Sequence, residues 1–207
     1  MNSELMNLFA VPLYRGKLGR SLHDHESLCI REQSRDPNAA ISNYASRSKR
    51  VLDEEPLKEL KRFLQSSVDD YFQKTFATSN DVRLKITQSW LSRTHKGEAH
   101  HEHVHPNSVA SGVFYINVSE HDGINFYRNE DNIWHELLHQ KDNYYNAHRY
   151  FVETKPGDIL IFPSNIRHGV ATVEHDAERL SLAFNTFFSG ELGREEFSNF
   201  LRIELKS

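Results

Sequence analysis

Cysteine is nearly absent: Cys29 is the only one in 207 residues. That excludes an internal disulfide framework and points to a reducing setting, with a cytoplasmic location expected. No apolar run approaches the ~18 residues of a membrane span. The opening, MNSELMNLFAVPLY, has neither the basic start nor the apolar stretch of a signal peptide, so no membrane partner is expected. A basic excess is missing as well. The 25 Lys and Arg stand against 29 Asp and Glu, a formal charge of −4, which argues against a broad nucleic-acid footprint. Hydrophobic residues, at 38%, fall below the ~45–50% of an average chain, and exchanging tyrosine for glycine to match the usual count hardly changes this. The core is therefore modest. Aromatic residues at 11% and recurrent apolar runs still favour a folded chain. There is no internal repeat, low-complexity tract or linker. What the chain has in abundance is histidine: 13 in all, five of them between His95 and His105.

The periodicity divides the chain. Leu8 to Tyr14 reads as a short strand, placed at an edge or bulge by Pro12. Residues 21–35 read as a helix. Residues 36–52 read as a polar loop whose Arg47, Lys49 and Arg50 form a solvated surface. Leu57, Leu60, Leu64, Val68, Tyr71 and Phe72 recur at spacings of three and four, which predicts a helix opened by Pro56 and ending near Phe76. Then the period changes. Val82, Leu84 and Ile86 alternate, and Trp90 continues the same parity. Short apolar or β-branched runs follow at Val113–Val118, Ile124–Tyr127, Tyr150–Thr154, Ile159–Phe162, Val170–Val173 and Leu180–Phe188. This predicts an all-β sandwich or barrel with supporting helices. Leu192, Phe197, Phe200, Leu201 and Leu205 predict an amphipathic C-terminal helix over 191–205. A single domain is the simplest account, with helical support over about 20–77 and a β core over about 82–188.

On a strand, residues two apart share a face. His101, His103 and His105 therefore fall on one side, and His100, Glu102 and Val104 on the other. Two imidazoles at that spacing can converge on one transition metal. A third ligand has to come from elsewhere, and His168 is the best candidate. It follows Pro156-Gly157-Asp158, the apolar run Ile159–Phe162 and the turn Pro163-Ser164-Asn165. Eleven residues later, Arg179, Ser181 and Ala183 share a strand face. An inward arginine is costly unless it meets an anion. Its fork suits a carboxylate; pairing with Glu178 or Glu153 is the alternative.

These residues resemble the non-haem iron, 2-oxoglutarate-dependent oxygenases, in particular a subgroup of small bacterial and phage proteins of about this length. The likeness is carried by His103-Val-His105-Pro-Asn-Ser-Val-Ala-Ser-Gly-Val-Phe-Tyr115, by Pro156-Gly-Asp-Ile-Leu-Ile-Phe-Pro-Ser164, and by His168 followed by Arg179-Leu-Ser-Leu-Ala-Phe-Asn185. It implies a mostly β fold, a double-stranded β-helix or jelly roll with flanking helices. It also implies Fe(II) held by His103, His105 and His168, with 2-oxoglutarate as cosubstrate and O2 as oxidant. Arg179 would bind the distal carboxylate, assisted by Ser181. Tyr115 would donate to the cosubstrate or serve as a core residue, and Asn185 and Trp90 would line the pocket. The expected outcome is hydroxylation of an unidentified small-molecule or side-chain substrate, with release of succinate and CO2; a homodimer is left open. One departure is His105, where the commoner triad has a carboxylate. His100-x-Glu102 would restore an acid, and His101 shares the expected face, but the family's Pro-Asn-Ser continuation follows the 103/105 pair.

Two rival readings stand beside this one. A cupin-type metal protein, including a dioxygenase that does not use 2-oxoglutarate, would share the His-x-His pair and the Pro-Gly-Asp turn. It would ordinarily supply a glutamate where this chain reads Pro106-Asn-Ser-Val-Ala-Ser111. A non-catalytic jelly roll with a histidine metal sponge is the other. The insert 128–148, with Trp134, Tyr144 and Tyr145, is expected to cover the barrel mouth.

Overall fold

Residues 3–129, 138, 140–176 and 178–205 are described by a computed structural model. In chain order, β1 (Tyr14–Lys17) precedes α1 (Asp24–Gln33), and two short strands follow, β2 (Asn38–Ala39) and β3 (Tyr44–Ala45). Next come α2 (Lys58–Phe76), β4 (Val82–Thr94), β5 (His100–His103), β6 (Ala110–Asn117), β7 (Gly123–Tyr127) and β8 (Arg149–Glu153). The chain closes with β9 (Asp158–Pro163), β10 (His168–Val170), β11 (Arg179–Leu192) and β12 (Leu201–Ile203).

The strands form two antiparallel sheets. The larger runs β1-β9-β6-β11-β4-β3-β2, with β12 added on β11, and the smaller runs β5-β10-β7-β8. From β4 onward the chain passes between them: β4 lies in the large sheet, β5 in the small, β6 in the large, β7 and β8 in the small, β9 in the large, β10 in the small, β11 in the large. That alternation is the double-stranded β-helix implied by the family resemblance. It lays β5 and β10, which carry the histidines, side by side.

Alternation along each strand separates two cores. Phe114 of β6, Ile159 and Ile161 of β9, and Leu182 and Phe184 of β11 face the helices, where Leu60, Leu64, Val68, Tyr71 and Phe72 of α2 meet them. Their neighbours Tyr115, Leu160 and Phe162 face inward and pack on Ile124, Phe126 and Val152 of the small sheet. Each such burial contributes roughly 1.5–3 kcal/mol. The helix begins after a 3-10 turn at Glu55–Leu57 that contains Pro56, and ends at Ala77 in the left-handed region (φ 45°). The predicted helix 57–76 and the helix within 21–35 are thus found.

Four expectations are corrected. The N-terminal strand is not Leu8–Tyr14. Phe9 has φ 55° and is 97% exposed, Pro12 has no N–H for a ladder, and pairing with β9 starts only at Tyr14. The polar stretch 36–52 contains the small β2–β3 ladder, with Asn38 opposite Ala45. The C-terminal segment is not a helix. Glu195–Phe197 is a single 3-10 turn, and β12 folds back on β11 with Gly190 opposite Ile203 and Leu192 opposite Leu201. Gly193 (φ 74°) and Ser198 (φ 56°) make that reversal, the free edge of β11 pairs the segment, and Phe197, Phe200 and Leu201 stay exposed rather than forming a buried helix face. Finally, Trp90 does not continue the parity of Leu84. A bulge at Asn185/Thr186 skips Thr87 in the β4–β11 ladder, so Leu84 and Leu91 face the helices while Trp90 turns inward, 5.7 Å from the His105 ring.

Candidate metal centre

The small sheet brings the distal histidine to the pair. His168 lies directly opposite His103 in the β5–β10 ladder, and their ring centroids are 4.4 Å apart. His105 follows the end of β5. Its N–H donates to the Ser164 carbonyl at 2.9 Å, which returns its ring to the same spot, 4.9 Å from His103 and 5.1 Å from His168. One ligand nitrogen from each of His103, His105 and His168 falls within 4.8 Å of the others.

The hydrogen bonds select the ligand atoms. His103 Nδ1 faces the His101 carbonyl at 2.8 Å, and His168 Nδ1 faces the Ile166 carbonyl at 3.0 Å. A carbonyl can only accept, so both Nδ1 atoms carry the proton and both Nε2 atoms present a lone pair. His105 Nε2 lies 3.2 Å from His168 Nε2. Two nitrogens bonded at ~2.1 Å to one ion and set at right angles would be about 3 Å apart. The pair therefore suits a shared ion, and the donor set suits a first-row transition metal.

The imidazoles are held neutral, as ligation requires. Burial is the main cause for all of them. It takes His168 down to about 3 against the opposing Ile166 carbonyl, with His103 and His105 adding to the effect. His105 falls to about 4, through burial and then His103. His103 is lowered by burial and by His101, against the His101 carbonyl contact.

Arg179 is 2% exposed and shares a buried strand face with Ser181. Its partner is neither Glu178 nor Glu153. Asp122, in the turn before β7, pairs with Nε at 2.9 Å. The guanidinium lies 5.4 Å from the Tyr115 ring centre, and Nη1 approaches the Ser181 hydroxyl at 3.4 Å. The Tyr115 hydroxyl is buried with no hydrogen bond of full geometry, the Thr154 hydroxyl being the polar side chain that neighbours it. Burial holds it above the ordinary phenol range, against the lowering effect of Arg179, so it stays a donor at neutral pH. An orphaned donor beside a buried guanidinium fits an anionic group with several acceptor oxygens.

Asn185 is committed within the protein. Its Oδ1 accepts from Ser111 at 2.9 Å, and its Nδ2 approaches Gln88 Oε1 at 3.5 Å. Ser111 continues to Ser164 at 2.8 Å, the residue whose carbonyl holds His105. Glu102 offers no ligand. It is exposed and lies 3.5 Å from Arg167 Nε, and among the described residues both candidate metal clusters consist of histidine alone. In the insert, Trp134 lies outside the described residues, while Tyr144 and Tyr145 are exposed.

Sequence reasoning missed Asp122 and His100. The acid precedes Gly123 in an ordinary-looking turn, and no local spacing links it to a residue 57 positions away. Strand alternation places His100 on the opposite face from His103, yet their rings stack at 4.6 Å. In the β5–β10 ladder, two steps from His168 to Val170 match three from His103 to His100. The extra residue reverses the parity.

Residues 88–185 match a family model described as "Putative 2OG-Fe(II) oxygenase". No curated protein matches the chain. Several solved structures are similar. An oxidoreductase of the 2OG-Fe(II) oxygenase family from Burkholderia pseudomallei shares 15% identity, covering 83% of each chain with a TM-score of 0.54. HygX from Streptomyces hygroscopicus, solved with nickel, 2-oxoglutarate and hygromycin B, shares 12% identity over 85% of this chain and 82% of its own, with a TM-score of 0.54. A Pseudomonas putida prolyl-4-hydroxylase shares 13% identity over 84% and 92%, with a TM-score of 0.51. At these identities the likeness is one of fold.

Proposed function

We propose, for a chain whose residues 88–185 belong to the 2OG-Fe(II) oxygenase family, that it is a single-domain hydroxylase using Fe(II), O2 and 2-oxoglutarate. His103, His105 and His168 would hold the iron. Arg179 would take the far carboxylate of 2-oxoglutarate, with Tyr115 and Ser181 as hydroxyl partners. The observation that carries this reading is the pairing of two features on one barrel interior: three converging imidazoles and a buried arginine beside an orphaned tyrosine hydroxyl. When bound, iron and 2-oxoglutarate supply oxidative decarboxylation to succinate and CO2, coupled to oxidation of a substrate C–H bond. The protein's own part is positional. The His101 and Ile166 carbonyls orient two ligand rings, Asp122 steadies Arg179, and Asn185 acts through Ser111 and Ser164 on the His105 backbone. The prime substrate is a small molecule or a side chain.

A cupin-type reading draws support from the all-histidine ligand set. Against it, a cupin assigns no ligand to Arg179. Titrating 2-oxoglutarate into the anaerobic Fe(II) protein separates the two. The hydroxylase reading expects a visible charge-transfer band from the chelated 2-oxo acid, lost in His168→Ala, and succinate release once oxygen is admitted. A wild-type protein that binds Fe(II) but gives neither band nor succinate would leave the cupin reading in place.

A further inference from the structure

Five histidines crowd His95 to His105, and the proposed iron triad uses only two of them. Two of the others have a definite place. One nitrogen from each of His100, His101 and His103 lies within 4.8 Å of the others, the same proximity shown by the triad of His103, His105 and His168. Ring centroids in this second trio are 4.6, 5.0 and 5.5 Å apart, against 4.4, 4.9 and 5.1 Å in the first. Neighbouring residues on a regular strand point to opposite sides. Here the extra residue in the β5–β10 ladder removes that constraint and lets both His100 and His101 approach His103.

His101 adds an independent observation. Its Nδ1 is buried and has no hydrogen-bond partner, a costly state for a ring nitrogen unless something else satisfies it. Among the described residues, no hydrogen bond fixes either ring nitrogen of His100. We infer that His100, His101 and His103 form an alternative position for a divalent transition ion of the zinc or cobalt class, which accepts three imidazoles and a water.

The two positions exclude one another. A neutral imidazole has one lone pair. His103 Nδ1 donates to the His101 carbonyl at 2.8 Å, so Nε2 is its single ligand atom, and both trios need it. An ion in the alternative position therefore takes His103 away from the triad. Arg179 sets a bias: its positive charge reaches His100 and disfavours a second cation there, an effect blunted by its pairing with Asp122. The inference concerns metal binding alone, but its consequence for catalysis rests on the proposed hydroxylase reading.

The test is an anaerobic Co(II) titration of wild type, His168→Ala, His101→Ala and the double variant, following the visible d–d bands, with circular dichroism to check folding. Wild type should bind one Co(II) per chain. His168→Ala should still bind one, with affinity within tenfold of wild type and bands that 2-oxoglutarate does not move. Adding His101→Ala to it should weaken binding at least tenfold. If His168→Ala does not fold, His105→Ala takes its place. Equal cobalt affinity in the single and double variants, a folded His168→Ala that binds no cobalt, or two ions per wild-type chain would each overturn the inference. Absence of the 2-oxoglutarate band in wild type would instead overturn the hydroxylase reading and leave the cobalt comparison standing.

Discussion

Arg179 shows what a single residue contributes and needs. A guanidinium 2% exposed persists because Asp122 pairs with its Nε at 2.9 Å, leaving the outer nitrogens toward Ser181 and Tyr115. Truncating one partner of a buried charge pair costs ~2–5 kcal/mol. At about 1.4 kcal/mol per tenfold, Arg179→Ala should weaken 2-oxoglutarate by at least roughly thirtyfold. Arg179→Lys should recover only part, since a point charge replaces a fork. Equal affinities in the anaerobic iron titration would remove Arg179 from the site. Asp122→Ala tests the same pair from the other end. It strands a buried cation, for which a loss of about 3–5 kcal/mol is expected, read by urea denaturation. Added 2-oxoglutarate should restore part of it by supplying a carboxylate. A loss under about 0.5 kcal/mol, the size of a surface change, would mean that Asp122 does not hold the arginine.

Among the elements, β10 is the critical one: three residues long, it joins β5 to β7. Its middle residue, Gly169, leaves no room for a side chain. A Cβ there would lie 2.8 Å from the His100 carbonyl oxygen and 3.3 Å from the Glu102 nitrogen, both backbone atoms that move only with the strand. Gly169→Ala should therefore part β5 from β10 where His103 faces His168. We expect at least about a tenfold loss of Fe(II) affinity, equivalent to ~1.4 kcal/mol, with the helix-facing core intact. Near-ultraviolet circular dichroism should stay close to wild type while metal titration shifts. Unchanged metal affinity would show that the two strands do not set the ligand spacing.

For the whole molecule, the histidine cluster couples stability to pH. His100 and His168 are lowered to about 3 and His105 to about 4, burial being the main cause in each. An unfolded chain takes up these protons near pH 6.5, while the folded one resists. The contribution of the three residues is thus full above about pH 6.5. It falls as the pH drops below 6.5, because the unfolded state binds more protons, and stops falling only below the folded values. Metal-free protein should lose stability between about pH 6.5 and 4, followed by urea denaturation, and His100→Gln should show a shallower slope. Parallel slopes would mean that the cluster does not govern acid sensitivity. A bound ion needs neutral imidazoles, and the folded cluster is already neutral at pH 5, so the stability gained on adding metal should change little between pH 7 and pH 5 and fall only as the pH approaches 4.

Much of this protein was legible in its residues because the signals are local. The three-four spacing from Leu60 to Phe72 marks a helix, and the β-branched runs separated by turn residues mark strands. His103, His105, His168 and Arg179 sit in recognisable frames of Pro, Gly and Ser. Alternation alone put Arg179 and Ser181 on the same face, and the structure keeps them there. The rest depended on pairing between distant segments, which no window of sequence contains. Two bulges, one in the β4–β11 ladder and one in β5–β10, turned Trp90 inward and brought His100 to His103, because one extra residue reverses a period of two. The edge of β11 captured a C-terminal segment whose apolar spacing predicted a helix. Asp122 became the partner of Arg179 only when the start of β7 came to lie beside the start of β11. Spacing determined which residues are candidates for the site. Strand register determined which of them meet, since a buried charge or ring nitrogen is stable only where the folded chain supplies its partner.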